Sequence, residues 1–360
     1  MARKHLFAIP FLFAATAATA GCTSSSDALE AANAEADATD VPTASACPFE
    51  ADESVTGTVR VAFQVLPSGD LIVKDHGILE ACLPNADIAW TQYASGGDVV
   101  QAFGSDSVDI GTVGSSPTVK ALSAPLDLDV QVVYVQDVIG DAEALVVKDA
   151  AIASTADLAG TTIAVPFGST AHFSVLAAVT DAGLDPATDL TIINLAPDAI
   201  LGAWKGDEID AAYIWDPTLS EILADGTQLL SSTQAAEIGA PTFDLSVAST
   251  AFIEANPAFM EAWTKAQDWA VQLIQDSPAQ AAEAIAIQMG SDAAVVEGQL
   301  AGTGYLTAAE LLDGYFGGDL APVLSDTAAF LAEQGEIDAA ADDEHYAGAV
   351  YTGALESIGG

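Results

Sequence analysis

Positive charge is what this chain has least of. Eight Lys+Arg face 52 Asp+Glu among 360 residues, a formal net charge of −44. Arg3 and Lys4 stand at the start, leaving only Arg60, Lys74, Lys120, Lys148, Lys205 and Lys265 for everything that follows. Such a chain repels nucleic acid and anionic membrane surfaces, so neither is a partner. Cysteine is scarce as well: Cys22, Cys47 and Cys82 are too few and too widely spaced for a thiolate metal knuckle. The four histidines, at positions 5, 76, 172 and 345, show no metal-ligand spacing. There is no Walker A run, no G-x-G-x-x-G after a strand and no G-x-S-x-G elbow. No metal, no cofactor and no enzymatic activity are therefore expected. Past the first twenty residues, no apolar run approaches the roughly 18 residues a membrane helix needs.

What is present is apolar substance: 51% of the residues are hydrophobic. That is ample for a core and argues against the disorder that high net charge otherwise favours. An acid-coated folded protein of halophilic origin is the expectation. Residues 1–21 read as a targeting segment, with a basic start at Arg3 and Lys4, an apolar stretch over Leu6–Ala18, and small residues before Gly21-Cys22. Thr19-Ala20-Gly21-Cys22 fits a lipobox with Cys22 lipidated; Ala18-Thr19-Ala20 fits plain cleavage instead. Lipidation at Cys22 leaves Cys47 and Cys82 as one even pair in an oxidising compartment, and a disulfide between them is expected. Residues 22–54 then form a flexible tether.

From Val55 onward short β-type runs alternate with helical stretches, the pattern of α/β layers around a mostly parallel sheet. Strands are expected at Val59–Gln64, Ile88–Tyr93, Asp109–Val113, Val130–Gln136, Ala144–Lys148, Thr162–Val165, Thr191–Asn194, Ala211–Ile214 and Phe243–Ser249. Helices are expected at Asp70–Glu80, Gly97–Phe103, Ala171–Ala182 and Pro197–Trp204, and dominate from Pro257 on. Ala102–Asp109 aligns with Ala203–Asp210 as a weak internal repeat, each copy a helix end, a turn and an Asp entering a strand.

Three strand-to-helix turns carry the candidate site. Gly114-Ser115-Ser116-Pro117 opens a helix near Pro117, Pro166-Phe167-Gly168-Ser169-Thr170 opens a second, and Trp215-Asp216-Pro217 a third. Ser before Pro suits a helix start. Helix starts present unpaired N–H groups and a positive dipole end to an anion, at the carboxyl ends of strands. His172, just after Ser169 and Thr170, reads as a polar pocket wall or a packing residue rather than half of a Ser/His nucleophile.

The residues resemble the substrate-binding proteins of taurine and aliphatic-sulfonate ABC importers over roughly 59–346. The motifs are Val61-Ala62-Phe63-Gln64, Ile110 to Pro117, Glu143 to Lys148, Ile163 to His172, Trp215-Asp216-Pro217 and Gly239 to Asp244. The resemblance implies a two-lobed periplasmic-binding-protein-like α/β fold of type II, each lobe three-layered, with a ligand cleft between them. Lobe one would combine residues 55–142 and 245–360, lobe two residues 143–244, with the chain crossing near Ala144–Lys148 and Phe243–Ser249. Expected ligand contacts are Gln64, Ser115, Ser116, Glu143, Ser169, Thr170, His172, Trp215, Asp216 and Asp244. The hydroxyls and helix starts would ring a sulfonate, Asp244 or Glu143 would face an ammonium, and Trp215 or Phe167 would wall the linker. Asp216 stands where several taurine binders carry a neutral residue and broader sulfonate and nitrate relatives carry an aspartate. The implied role is an exported, monomeric lipoprotein on the outer face of the cytoplasmic membrane, delivering taurine or a related sulfonate to permease and ATPase subunits. Competing readings are a binder of another alkanesulfonate, nitrate or a related anion, an enzyme on the same fold, and an extracellular sensor domain.

With so few bases, self-repulsion of the acidic surface must be screened by ions. The melting temperature is expected to rise from low to molar sodium chloride; a flat or falling trend rejects this.

Overall fold

The computed structural model describes residues 46–359. The expected leader, Cys22 and the expected tether as far as residue 45 lie outside the described residues. The rest is a two-lobed α/β structure on two five-stranded mixed sheets. Ten strands form: β1 Gly57–Phe63, β2 Ala86–Gln92, β3 Ile110–Gly114, β4 Val130–Val138, β5 Glu143–Val147, β6 Thr162–Val165, β7 Thr191–Asn194, β8 Ala211–Trp215, β9 Thr227–Ser231 and β10 Phe243–Ser249. The first sheet runs β2-β1-β3-β10-β4 and the second β7-β6-β8-β5-β9. In each, three parallel strands are followed by one antiparallel to its neighbours, β10 in the first and β5 in the second. The sheets are mixed rather than mostly parallel because β5 and β10, the strands entered directly after each crossing, run antiparallel to their neighbours. The crossings fall just before β5 and just before β10, whereas Ala144–Lys148 and Phe243–Ser249 themselves are largely sheet.

Strand periodicity sorts each sheet's side chains onto two faces. Val59, Val61 and Phe63 join one cluster with Leu71, Trp263 and Ile285, while Ala62 joins Val119, Leu245 and Leu324 on the opposite face. In the second sheet Ala144 and Val146 pack with Trp204 and Ile222, and Leu145 and Val147 with Val175 and Tyr213. Each sheet is thus covered on both faces. No helix among the described residues is long and apolar enough to cross a membrane.

The repeat of Ala102–Asp109 and Ala203–Asp210 is structural. Asp106 and Asp207 both hold positive φ, 53° and 55°. Ser107 N–H donates to Ala102 O and Glu208 N–H to Ala203 O, at 2.9 and 3.0 Å. The closing aspartates accept backbone N–H groups of the adjacent strand, Asp109 from Arg60 and Asp210 from Thr162, each at 2.8 Å. Each copy thereby pins a central strand, β3 or β8, beside its parallel neighbour.

Three local expectations change. The helix expected over Asp70–Glu80 is two, Gly69–Asp75 and Ile78–Cys82, broken where Gly77 takes φ 60°, a conformation open to glycine. The helix expected near Pro117 starts at Ser115, so Gly114 occupies the cap and the serines belong to the first turn. The strand Thr227–Ser231 had no counterpart in the sequence reading.

Cys47 and Cys82 form a disulfide with Cα atoms 4.9 Å apart, tying the first described residues to the Ile78–Cys82 helix. The 35-residue separation corresponds to about 3–4 kcal/mol in the chain-entropy picture. Reduction, or Cys47→Ser, is expected to lower stability to urea on that scale; a loss below roughly 1 kcal/mol excludes the entropic account.

Candidate functional site

All three strand-to-helix turns meet in one cavity between the lobes. The first sheet and its helices contribute Gln64, Gly96, Gly114, Pro117, Asp137 and Asp244; the second contributes Glu143, Ser169, Thr170, Trp215 and Asp216. The space left for the centres of water-sized groups is about 40 Å³, where one water needs about 10–15 Å³. A solute of a few heavy atoms fits.

Two helices start at this cavity from opposite lobes, Ser115–Leu122 and Thr170–Asp181. Their first-turn N–H groups have no acceptor within the helix, and both macrodipoles bring positive ends to the cleft. Gly114 lets them approach: a Cβ there would lie 2.6 Å from Thr170 Cγ2.

The hydroxyls expected to ring a ligand are largely engaged in building the turns. Ser169 Oγ donates to Pro166 O at 2.6 Å and accepts from His172 N–H, capping its helix. Ser115 Oγ accepts the Phe243 N–H at 3.2 Å. Thr170 Oγ1 donates to Glu143 at 2.6 Å, and Ser232 Oγ donates to the other oxygen at 2.8 Å. Ser115, Ser116 and His172 are buried and off the cavity lining. His172 instead stacks on Phe167, ring centroids 4.5 Å apart, with Nδ1 3.7 Å from Glu336. Burial lowers its pKa to about 4, with Glu336 opposing and Lys120 reinforcing the shift. Phe167 is 43% exposed and leaves Trp215 as the aromatic wall. Asp216 reaches the cavity but also accepts Ser220 N–H at 3.0 Å, holding the start of the helix Thr218–Ile222.

The electrostatics are one-sided. Asp137, Glu143, Asp216 and Asp244 line the cavity, and no Lys, Arg or His among the described residues does. Asp70 lies buried nearby, accepting from Thr112 Oγ1 and, at 2.7 Å each, from Gln136 and Gln267. Burial pushes Asp70 up to about 6 and Glu143 up to about 7, against the hydrogen bonds that favour their anions. Asp137 escaped the sequence reading as one acid among 52. The available signal was its place beside Gln136 near the end of the otherwise apolar strand β4.

The profile of the NMT1/THI5 like family matches residues 85–281, just over half of the chain. The chain belongs to that family. A taurine-binding periplasmic protein of Escherichia coli (strain K12) is 34% identical over 312 residues, 82% of this chain and 92% of its own. The crystal structure of the periplasmic aliphatic sulphonate binding protein SsuA from Escherichia coli superposes with a TM-score of 0.67 at 24% identity, covering 84% of this chain and 100% of SsuA. The nitrate-binding protein NrtA from Synechocystis PCC 6803 also reaches 0.67, at 14% identity over 84% of this chain and 88% of NrtA. These likenesses establish the periplasmic-binding-protein fold for this NMT1/THI5-like chain.

Glu143 sets a test of the cavity's chemistry. Its folded-state pKa of about 7 exceeds its ordinary 4.5, so the folded protein holds a proton that the unfolded chain has released. The stability so conferred is complete below about 4.5 and lost as pH rises through about 7. Glu143→Gln is expected to flatten stability against pH in that window by on the order of 2–3 kcal/mol, measured by urea unfolding. An unchanged slope contradicts the raised pKa.

Proposed function

We propose that this protein captures taurine in the interlobe cleft and delivers it to an ABC importer, without catalysing a reaction. The observation that carries the reading is the cavity's composition: two helix starts offering N–H donors, several carboxylates and, among the described residues, no base. A zwitterion with a sulfonate and an ammonium uses both sets of groups. Three acceptor oxygens match amide donors, and an ammonium matches a carboxylate. Nitrate or a plain alkanesulfonate would bring a second negative charge among acids and leave them uncompensated. The taurine-binding relative supports the same choice. Against a hydrolytic enzyme, the Ser169 hydroxyl points to Pro166 O and the His172 ring faces Glu336, so the two form no nucleophile–base pair. The leader reading completes the proposal: a monomer, exported and anchored through Cys22.

Calorimetric titration with taurine, ethanesulfonate and nitrate tests the proposal. Taurine is expected to bind most tightly. Asp244→Asn removes a charge-assisted hydrogen bond of roughly 1.5–3 kcal/mol, so taurine affinity drops about ten- to a hundred-fold while ethanesulfonate changes little. Equal losses for both ligands remove Asp244 as the amine contact; tighter nitrate or ethanesulfonate binding in the parent protein replaces the taurine reading.

A further inference from the structure

Asp137 and Asp244 face each other across the antiparallel β4–β10 ladder as direct register partners. Both line the cavity. Side chains directly opposite on such a ladder sit about 4.5–5.5 Å apart at Cβ, where like charges are destabilising. Asp137 is only 2% exposed, and no side chain among the described residues donates to it. Its hydrogen-bonding partner is the backbone of Asp244, and the Asp244 carboxyl has none of the hydroxyl donors that hold Glu143. The other titratable groups facing the pair are Glu143 on β5, Asp70 on the Gly69–Asp75 helix, and Tyr305, with Asp216 on the same cavity. None is cationic, and Tyr305 donates its hydroxyl to Pro67 O.

We infer that Asp137 and Asp244 share one proton in the empty cleft and give it up to solvent when an ammonium group takes its place between them. The inference rests on the taurine reading and deepens it: Asp137 becomes a second determinant of the amine end, and capture becomes proton-linked. The balance is simple. The empty pair carries one proton and one negative charge. The occupied pair carries two negative charges against the ligand's positive one, and one H⁺ leaves for bulk water. Burial acts on both carboxyls in the required direction. It pushes each up, followed for Asp137 by the charges of Asp244, Glu143 and Asp70, and for Asp244 by those of Glu143 and Asp70. A ligand with a sulfonate and no amine gains nothing from proton loss.

Two measurements on the purified protein decide the matter. The first is carboxyl ¹³C NMR of the ligand-free protein across pH. Two widely separated steps are expected for the pair, and the upper one should disappear in Asp137→Asn; two steps that coincide in the ordinary carboxylate range overturn the shared proton. The second is taurine titration in two buffers of different ionisation enthalpy between pH 5.5 and 8.5. About one proton released per taurine is expected at the acid end. Affinity there should rise tenfold per pH unit and level off above the upper step, with a shallower dependence in Asp137→Asn. Ethanesulfonate should release none. Buffer-independent taurine heats across the range overturn the exchange while leaving the taurine reading intact. Taurine that binds at no pH overturns the taurine reading and the exchange together, and the NMR steps alone then decide whether the proton is shared.

Discussion

Everything in this structure answers to one shortage: there are not enough cations to go round. After Lys4, six basic side chains serve the chain, and each is engaged away from the cleft. Arg60 holds Asp106 and Asp109, Lys120 holds Glu336, Lys148 holds Asp207, and Lys205 and Lys265 pair with Glu221 and Glu261. Lys74 donates to Gln288 and lies over the Phe63 ring. The buried acids at the cleft are therefore accommodated by neutral groups. Amides do this for Asp70, hydroxyls for Glu143, a helix start for Asp216. Asp137 and Asp244 have the least of such help, and both line the cavity.

Two of the scarce bases also mark the internal symmetry. Arg60 and Lys148 reach the turn aspartates of the two repeat copies, Asp106 and Asp207, at the start of corresponding strands. The turn geometry is held by backbone bonds and positive φ, and the ion pair sits on top of it. The site arises from the same repetition. Each lobe sends the carboxyl end of a central strand and a helix start toward the other, and what lines the gap among the described residues is helix-start N–H, carboxylates and Trp215 rather than guanidinium or ammonium.

Much of this was legible in the sequence because it is local. Thr162–Val165, Thr191–Asn194 and Phe243–Ser249 are strands over those same residues, and the three strand-to-helix turns line one cavity. Other features depend on partners distant in sequence. Ser169, Ser115 and Thr170 looked like ligand hydroxyls, but their commitments to Pro166, Phe243 and Glu143 follow from tertiary placement. Asp137 needed the register of β10 against β4 to stand out from the other acids. The break at Gly77 and the short strand after Gly226 were within reach of a closer reading of glycine as punctuation.

The second sheet is inserted in the chain between β4 and β10, and this sets the order in which the protein can be completed. In the first sheet β4 has one ladder partner, β10, which lies more than a hundred residues later and is reached only after the second sheet has been made. A chain emerging N-terminus first, from a ribosome or through a membrane, therefore carries Val130–Val138 as an unpaired apolar strand while the intervening lobe folds. Insertion of Phe243–Ser249 between β3 and β4 finishes the sheet, and only then can the helices Pro257–Asp276 and Leu320–Glu333 cover its two faces. The last third of the chain thus acts as the closing half of a lobe begun by the first, so a product truncated before Phe243 leaves β3 and β4 without the strand that joins them.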